Sequence, residues 1–379
     1  GEQLRRALVY ERKNGWDRLD AEEGAALEAY CTGYKQFLDA GKTERECVDR
    51  AIAQAEAAGF RAYVRGMELK PGDRIYQVNR DKAIMLAVMG RKGLEHGVNI
   101  GAAHIDSPRL DLKQNPLYES DELGFFKTHY YGGIRKYQWV TIPLELHGVV
   151  ALKNGEVVRV SVGNGPDDPM FTIDDLLPHL ATDQVKKPLG EAIPAESLNI
   201  LVGSRPLRDD EGSDRVKLSV LELLNRKYGI VEEDFLSAEL CAVPAFRAVD
   251  IGFDRSLIGA YGHDDRVCAY ACLQALLELE GAPRLTGVCV LADKEEIGSE
   301  GVSGMKSRAF DTFMEDLCQS QSVPLRACYE KSFCLSADVT AAYDPNFAEV
   351  YEKRNSAFVN YGMGLCKYTG ARGKSGASD

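Results

Sequence analysis

Apolar residues at helical spacing run through Ala21–Ala40 and Lys42–Ala58, with Gly41 and Gly59 standing where each helix should stop. A further amphipathic stretch, Arg80–Arg91, predicts a third helix ahead of Gly93. Behind it, Gly97–Ala103 is short and apolar enough for a buried strand, and helix followed by strand is the grammar of an α/β domain. The grammar changes after about Arg109. Short β-prone runs (WVTIPLELHGVVAL, EVVRVSV) follow between Lys113 and Val162, separated by Gly, Asn and Pro. Loops, the charged turn RDDEGSDR and one helix at Val216–Tyr228 fill the chain to about Ala245. The first pattern then resumes: a striped helix at Val267–Glu280, a strand at Leu285–Ala292, a helix at Gly304–Ser320 and a strand at Ser332–Ala337. No repeat with a period of 20–50 residues interrupts it. The expected fold class is α/β, with a domain made of residues 1–111 and 246–379 and an inserted β-rich domain at 112–245.

Composition narrows the function classes. A chain of 379 residues with 45% hydrophobic and 27% charged positions has a globular balance, which excludes disordered and collagen-like classes. The longest apolar runs, Ala83–Met89 and Val288–Ala292, fall short of the roughly 20 residues that cross a bilayer, so no membrane partner is expected. The N-terminal GEQLRRALVYERKNG lacks the apolar core of a signal peptide. A formal charge of −12 without a basic stripe argues against nucleic acid. Ten cysteines without a CxxC pair, several in apolar runs (Cys268, Cys272, Cys289), suit a reducing cytoplasm. The stretch GARGKSG imitates a phosphate loop, but Tyr368 stands where that loop needs glycine, which leaves nucleotide binding a minor alternative.

Four short stretches could carry chemistry. In His104-Ile105-Asp106, closing a strand, alternation puts the first and third side chains on one side, so the carboxylate can orient the imidazole; a chance pairing explains it equally well. In Gly262-His263-Asp264-Asp265-Arg266, one aspartate is expected to cap the following helix and the other to bridge a metal pair. His263 reads there as an exposed loop residue. In Asp293-Lys294-Glu295-Glu296, after the most apolar strand, one glutamate can ligate metal while its neighbour acts as general base. Asp338 closes the last strand in the same way. One histidine with several carboxylates at strand ends suits zinc, or else manganese or cobalt, and points to metal-assisted hydrolysis.

The ordered series YKQFLDAGKTERE, AAHIDSPRLDLK, YYGG, VKLSVLELLNRKYGIVEEDFLSAEL, GHDDR, DKEEIGSEG and SADV resembles the aspartyl aminopeptidase family of cocatalytic zinc exopeptidases, which includes yeast vacuolar aminopeptidase I. The likeness covers nearly the whole chain and is closest to the bacterial branch. It implies a catalytic domain with a mixed sheet and helices on both faces, and an inserted β-rich dimerisation domain. It implies two zinc ions per subunit and removal of single N-terminal residues, Asp or Glu among them, from peptides. His104, Asp264 as the bridge, Glu296 and Asp338 become metal ligands, Asp106 the orienting partner of His104, and Glu295 the general base. The resemblance further implies dimers that build a dodecamer, with His179 of LLPHLA reaching a neighbouring subunit's site. Lys367 and Lys374 face an acidic substrate side chain on this reading, or form a solvated basic turn. The family's fifth ligand is a histidine near the C-terminus, whereas this chain has none after His263 and stops at GKSGASD. Truncation is the expectation from that departure, and a catalytically impaired scaffold is the rival reading.

Overall fold

The computed structural model describes residues 1–208 and 211–368. They form two compact units: Gly1–Tyr34 with the described residues from Asp338 on, and Lys35–Ala337. The smaller unit holds helix α1 (Glu2–Leu8), a short turn Gly15–Asp17 capped by the Asn14 side chain, and turns at Pro345–Val350 and Lys353–Asn355. Tyr343 packs against Tyr351 and Phe358 there, and the Arg12 guanidinium lies 5.1 Å from the Phe358 ring centre.

Helix α2 (Ala21–Ala40) has the length its pattern predicts, and α3 (Glu44–Ala57) starts at a capping box. In that box Thr43 Oγ1 accepts from the Glu46 N–H, and Glu46 returns a carboxylate to the Thr43 N–H. The strands then follow as β1 (Arg61–Ala62), β2 (Arg74–Asn79), β3 (Ala83–Val88), β4 (Val98–His104), β5 (Arg109–Ser120), β6 (Leu123–Tyr131), β7 (Leu144–Ala151) and β8 (Val157–Val162). After a short helix α4 (Leu189–Ala192) come β9 (Ile200–Gly203), helix α5 (Arg215–Tyr228), β10 (Glu239–Pro244), β11 (Val249–Ile251) and β12 (Leu257–Gly259). Helix α6 (His263–Leu277), β13 (Thr286–Ala292), α7 (Ala309–Ser320), α8 (Leu325–Tyr329) and β14 (Phe333–Ser336) complete the larger unit.

The first sheet has the order β1-β2-β3-β13-β4-β14, and the second β8-β7-β10-β5-β6-β9. Every strand of the second comes from residues 109–244, while the first draws strands from both sides of that stretch. One expectation fails here. The helix expected at Arg80–Arg91 is strand β3, buried at all six positions between β2 and β13; a strand covered on both faces loses the alternation that would distinguish it from a buried helix. Strand β14 forms where expected, with Phe333 and Leu335 61% and 54% exposed, since among described strands it pairs only with β4.

What places the site is the register of the central strands. β13 and β14 both run parallel to β4, with Ala292 opposite His104 and Ser336 opposite Ala102, so three strands end at one edge. In an open α/β sheet that edge is where ligands bind. The core beneath it is apolar, with Ile75, Met85, Val288 and Val290 against Phe313 and Leu317 of α7.

The second sheet meets α3 through buried charge. His147 Nδ1 lies 2.7 Å from Glu46 Oε1 and its Nε2 3.4 Å from Glu145 Oε1, while Lys42 Nζ sits 3.5 Å from the same Glu145 oxygen. Burial works against a charged His147, yet the two glutamates outweigh it and raise its pKa to about 9. A folded-state pKa above the ordinary value near 6.5 gives stability that is complete below that value and is lost as pH rises through 9. Urea unfolding should therefore show wild type more stable than His147→Gln at pH 6, by on the order of 3 kcal/mol. The two curves should converge above pH 9; curves that stay parallel across the range would mean His147 is neutral.

Candidate active site

His104 closes β4 and is 4% exposed. The next residue, Ile105, still donates its N–H to the Ala292 carbonyl at 2.8 Å, which keeps the loop after β4 tied to β13. His104 Nδ1 lies 3.0 Å from the Asp106 carbonyl oxygen and 3.3 Å from its carboxylate. The other ring nitrogen, Nε2, faces Asp264 Oδ1 at 3.2 Å and Glu295 Oε2 at 3.7 Å. Burial lowers the His104 pKa, but Asp106 and Asp264 overcome it and raise it to about 11.

Asp106 is fully buried and gathers three donors. Its carboxylate accepts from the Tyr131 hydroxyl at 2.7 Å, the Glu295 N–H at 3.1 Å and the Glu296 N–H at 3.2 Å. Burial raises its pKa; the hydrogen bonds from His104 and Tyr131 more than offset this and hold it below the ordinary carboxylate range. Tyr131 ends β6, so the second sheet contributes directly to the cluster.

The two glutamates sit on a one-turn 3₁₀ segment, Glu295–Ile297, between Lys294 and Gly298, both left-handed. Two such residues fold the chain back on itself, which brings consecutive N–H groups onto one Asp106 carboxylate. Asp293, missed from the sequence, anchors the start of this loop: it is buried, accepts from the Lys294 N–H at 2.8 Å and takes the Ser303 hydroxyl at 2.5 Å. Burial and the Glu44 charge raise its pKa to about 6. Its signal in the sequence was its place directly after the most apolar strand. Glu296 Oε1 is buried with no hydrogen-bond partner among the described residues. Burial first, then the Asp264 charge, raises the Glu296 pKa to about 7. Gly132 of the YYGG run has φ +71°, and a Cβ there would come within 3.1 Å of Glu296 Cβ, so a side chain at this position would be strained in its backbone and press on Glu296.

The Asp264 region departs from the capping expectation. The N-cap of α6 is Gly262, with no side-chain cap bond, and Asp264 and Asp265 both have non-helical backbone angles with a cis peptide between them. Asp264 keeps its carboxylate half exposed at His104 and its carbonyl on the Ser107 hydroxyl at 2.7 Å. Asp265 is buried. His263 is not an exposed loop residue: its Nε2 lies 3.0 Å from the Ile258 carbonyl, and burial lowers its pKa.

His104, Asp106, Asp264, Glu295 and Glu296 thus converge at the ends of β4 and β13. Asp338 begins the second chain segment of the smaller unit, directly after Ala337, whose N–H donates to Ala102 O at 2.8 Å. His179 lies on an exposed turn between β8 and β9. Lys367 is exposed, its Nζ 5.6 Å from the Tyr368 ring centre, and Lys374 lies outside the described residues. An imidazole facing two carboxylates, with a third carboxylate oxygen buried and unsatisfied, is the donor set and charge excess that a divalent cation neutralises.

The family model described as aminopeptidase I zinc metalloprotease (M18) matches residues 37–379. A probable M18 family aminopeptidase 1 of Clostridium acetobutylicum is 48% identical over 380 residues, which span 98% of this chain and 82% of that relative. The crystal structure of an M18 family aminopeptidase from Thermotoga maritima superposes with a TM-score of 0.91 at 42% identity, covering 97% of this chain and 80% of that one. The Saccharomyces cerevisiae mApe1 dodecamer shares the fold at 21% identity, with a TM-score of 0.70 over 86% of this chain and 75% of that one.

Proposed function

From the premise that the chain belongs to the aminopeptidase I zinc metalloprotease family (M18), and is thus a peptide hydrolase, we propose a division of labour for the clustered residues. His104, Asp264, Glu296 and Asp338 would hold the two zinc ions, with manganese or cobalt as workable substitutes. Zinc bound there supplies Lewis acidity and brings the pKa of water towards neutrality. The observation that carries the reading is the approach of His104 Nε2 to Asp264 Oδ1 at 3.2 Å and Glu295 Oε2 at 3.7 Å, at the shared edge of β4 and β13. Asp106 holds the Nδ1 side of His104 and leaves Nε2 for metal. Asp338 enters by chain continuity, two residues beyond the end of β14.

Glu295 is the general base. Its backbone is pinned by Asp106 while its side chain is half exposed, so it reaches substrate and solvent. It takes a proton from the attacking water and passes it to the departing amine, which frees one N-terminal residue from a peptide. His104, Asp106, Asp264, Glu295 and Glu296 are all present and gathered at one sheet edge, which does not favour the impaired-scaffold reading.

Release rates from Asp-, Glu- and Leu-arylamides in the presence of Zn²⁺ test the assignment and the substrate class together. Turnover should disappear on chelation and return with Zn²⁺, and acidic residues should leave faster than Leu. A chain that binds no zinc and cleaves none of the three overturns the proposal; faster release of Leu removes the acidic preference.

The chain also acts as a homo-oligomer on this reading, through a β-rich domain at 112–245 that pairs two copies within a larger, dodecameric assembly. Exposed Leu176, Leu177 and Leu180 around His179 support a second copy covering that loop. A cytoplasmic site of action fits ten cysteines without a disulfide, and no helix among the described residues is long and apolar enough to cross a membrane.

A further inference from the structure

We infer that Arg266 is a positioning residue of this site, tying the loop that carries His104 to the loop that carries Asp264 and thereby fixing their spacing. The inference rests on the reading of His104 and Asp264 as metal ligands. Arg266 is 1% exposed and is among the largest fully buried side chains. Its Nε donates to the Ile105 carbonyl and its Nη2 to the Lys42 carbonyl, both at 3.1 Å. The guanidinium lies 5.4 Å from the ring centre of Tyr261, whose hydroxyl donates to the Pro108 carbonyl at 2.9 Å. From the opposite loop, the Ser107 hydroxyl donates to the Asp264 carbonyl at 2.7 Å. Residues 105, 107 and 108 are thus each bonded to residue 266, 264 or 261, and the loops are laced together immediately behind both metal-facing side chains.

Packing alone does not explain an arginine here. A buried cation is expensive to desolvate, and an apolar side chain of similar volume would fill the space at less cost. What the guanidinium adds is a rigid fork that meets carbonyls on two separate segments, which a lysine ammonium cannot do with the same geometry. The adjoining backbone is shaped to admit it: Gly262 has φ +87°, and a Cβ there would stand 2.2 Å from Arg266 Nη1. Arg266 touches no reacting atom on this reading, so its effect passes through the separation of His104 and Asp264. Displacements well under 1 Å in such a constellation are enough to weaken it.

The test uses the full chain with Arg266→Met, Arg266→Lys and Ser107→Ala. Zn²⁺ affinity is read by competition with a chromophoric chelator, kcat and KM are read separately at saturating Zn²⁺, and urea unfolding is read on the zinc-free protein. Arg266→Met should bind Zn²⁺ about 10–100-fold more weakly, the range for residues that support metal ligands, and lose kcat with little change in KM. Arg266→Lys should recover part of both, and Ser107→Ala should shift both the same way with a zinc-free midpoint close to wild type. Wild-type Zn²⁺ affinity and kcat in these variants, or losses that merely follow the unfolded fraction, overturn the inference. Should Arg266→Met not fold, Ser107→Ala decides: unchanged Zn²⁺ affinity and kcat there are equally fatal. Absence of zinc and turnover in wild type would instead remove the functional reading beneath it.

Discussion

Glu295→Gln is expected to keep its zinc and to lose about three orders of magnitude in kcat, within the range that general acid–base catalysis contributes. The change is nearly isosteric, and the anchor of this residue is its backbone N–H on Asp106, which the substitution does not touch. The turn that carries Glu296 should therefore stay in place, and zinc stoichiometry with it. What the amide cannot do is accept a proton from water and return it to the leaving amine. Zinc content by atomic absorption, together with kcat on an arylamide, separates the outcomes. Near-normal kcat removes Glu295 from the role, while loss of zinc along with activity makes it a ligand and returns the base to Glu296.

The sequence made the scaffold of this site legible and its wiring much less so. Strands β4 and β13 announce themselves as apolar runs, each followed at once by polar residues, and the clustering of His104 with the Glu295 turn follows once those strands are parallel neighbours. Helix α2 is readable to its last residue because an amphipathic stripe ends at Gly41. The mistakes have a common cause. β3 is covered on both faces and α6 begins at a glycine cap, so in each case tertiary surroundings replaced the local signal. Asp106 could be guessed as the partner of His104 from its i+2 spacing. Its remaining donors come from Tyr131 and from two N–H groups about 190 residues along the chain, and no local pattern records them. The buried charges Lys42, Glu145 and His147 were invisible for the same reason, since each looks like a surface residue until α3 closes over β7.

That hidden wiring makes Asp106→Asn the second large expected effect: Zn²⁺ affinity 10–100-fold lower and the zinc-free chain less stable by about 2–3 kcal/mol. The wild-type carboxylate offers two acceptor oxygens to three donors and sits 3.3 Å from His104 Nδ1. An asparagine offers one oxygen, and wherever its amide nitrogen points, it must face an N–H or O–H that needs an acceptor. Either the Glu295–Glu296 turn or the His104 ring loses its support. Because the folded-state pKa of Asp106 is lowered, the stability it supplies is present above the ordinary value near 3.8 and is lost as pH falls through the folded value. Urea midpoints of the two proteins should therefore differ at pH 7 and draw together only in strong acid. Lower stability with wild-type zinc affinity would reduce Asp106 to a tie for the turn. The paired loss is the result that a carboxylate orienting His104 requires, because orientation is paid for in metal affinity and the shared hydrogen bonds in stability.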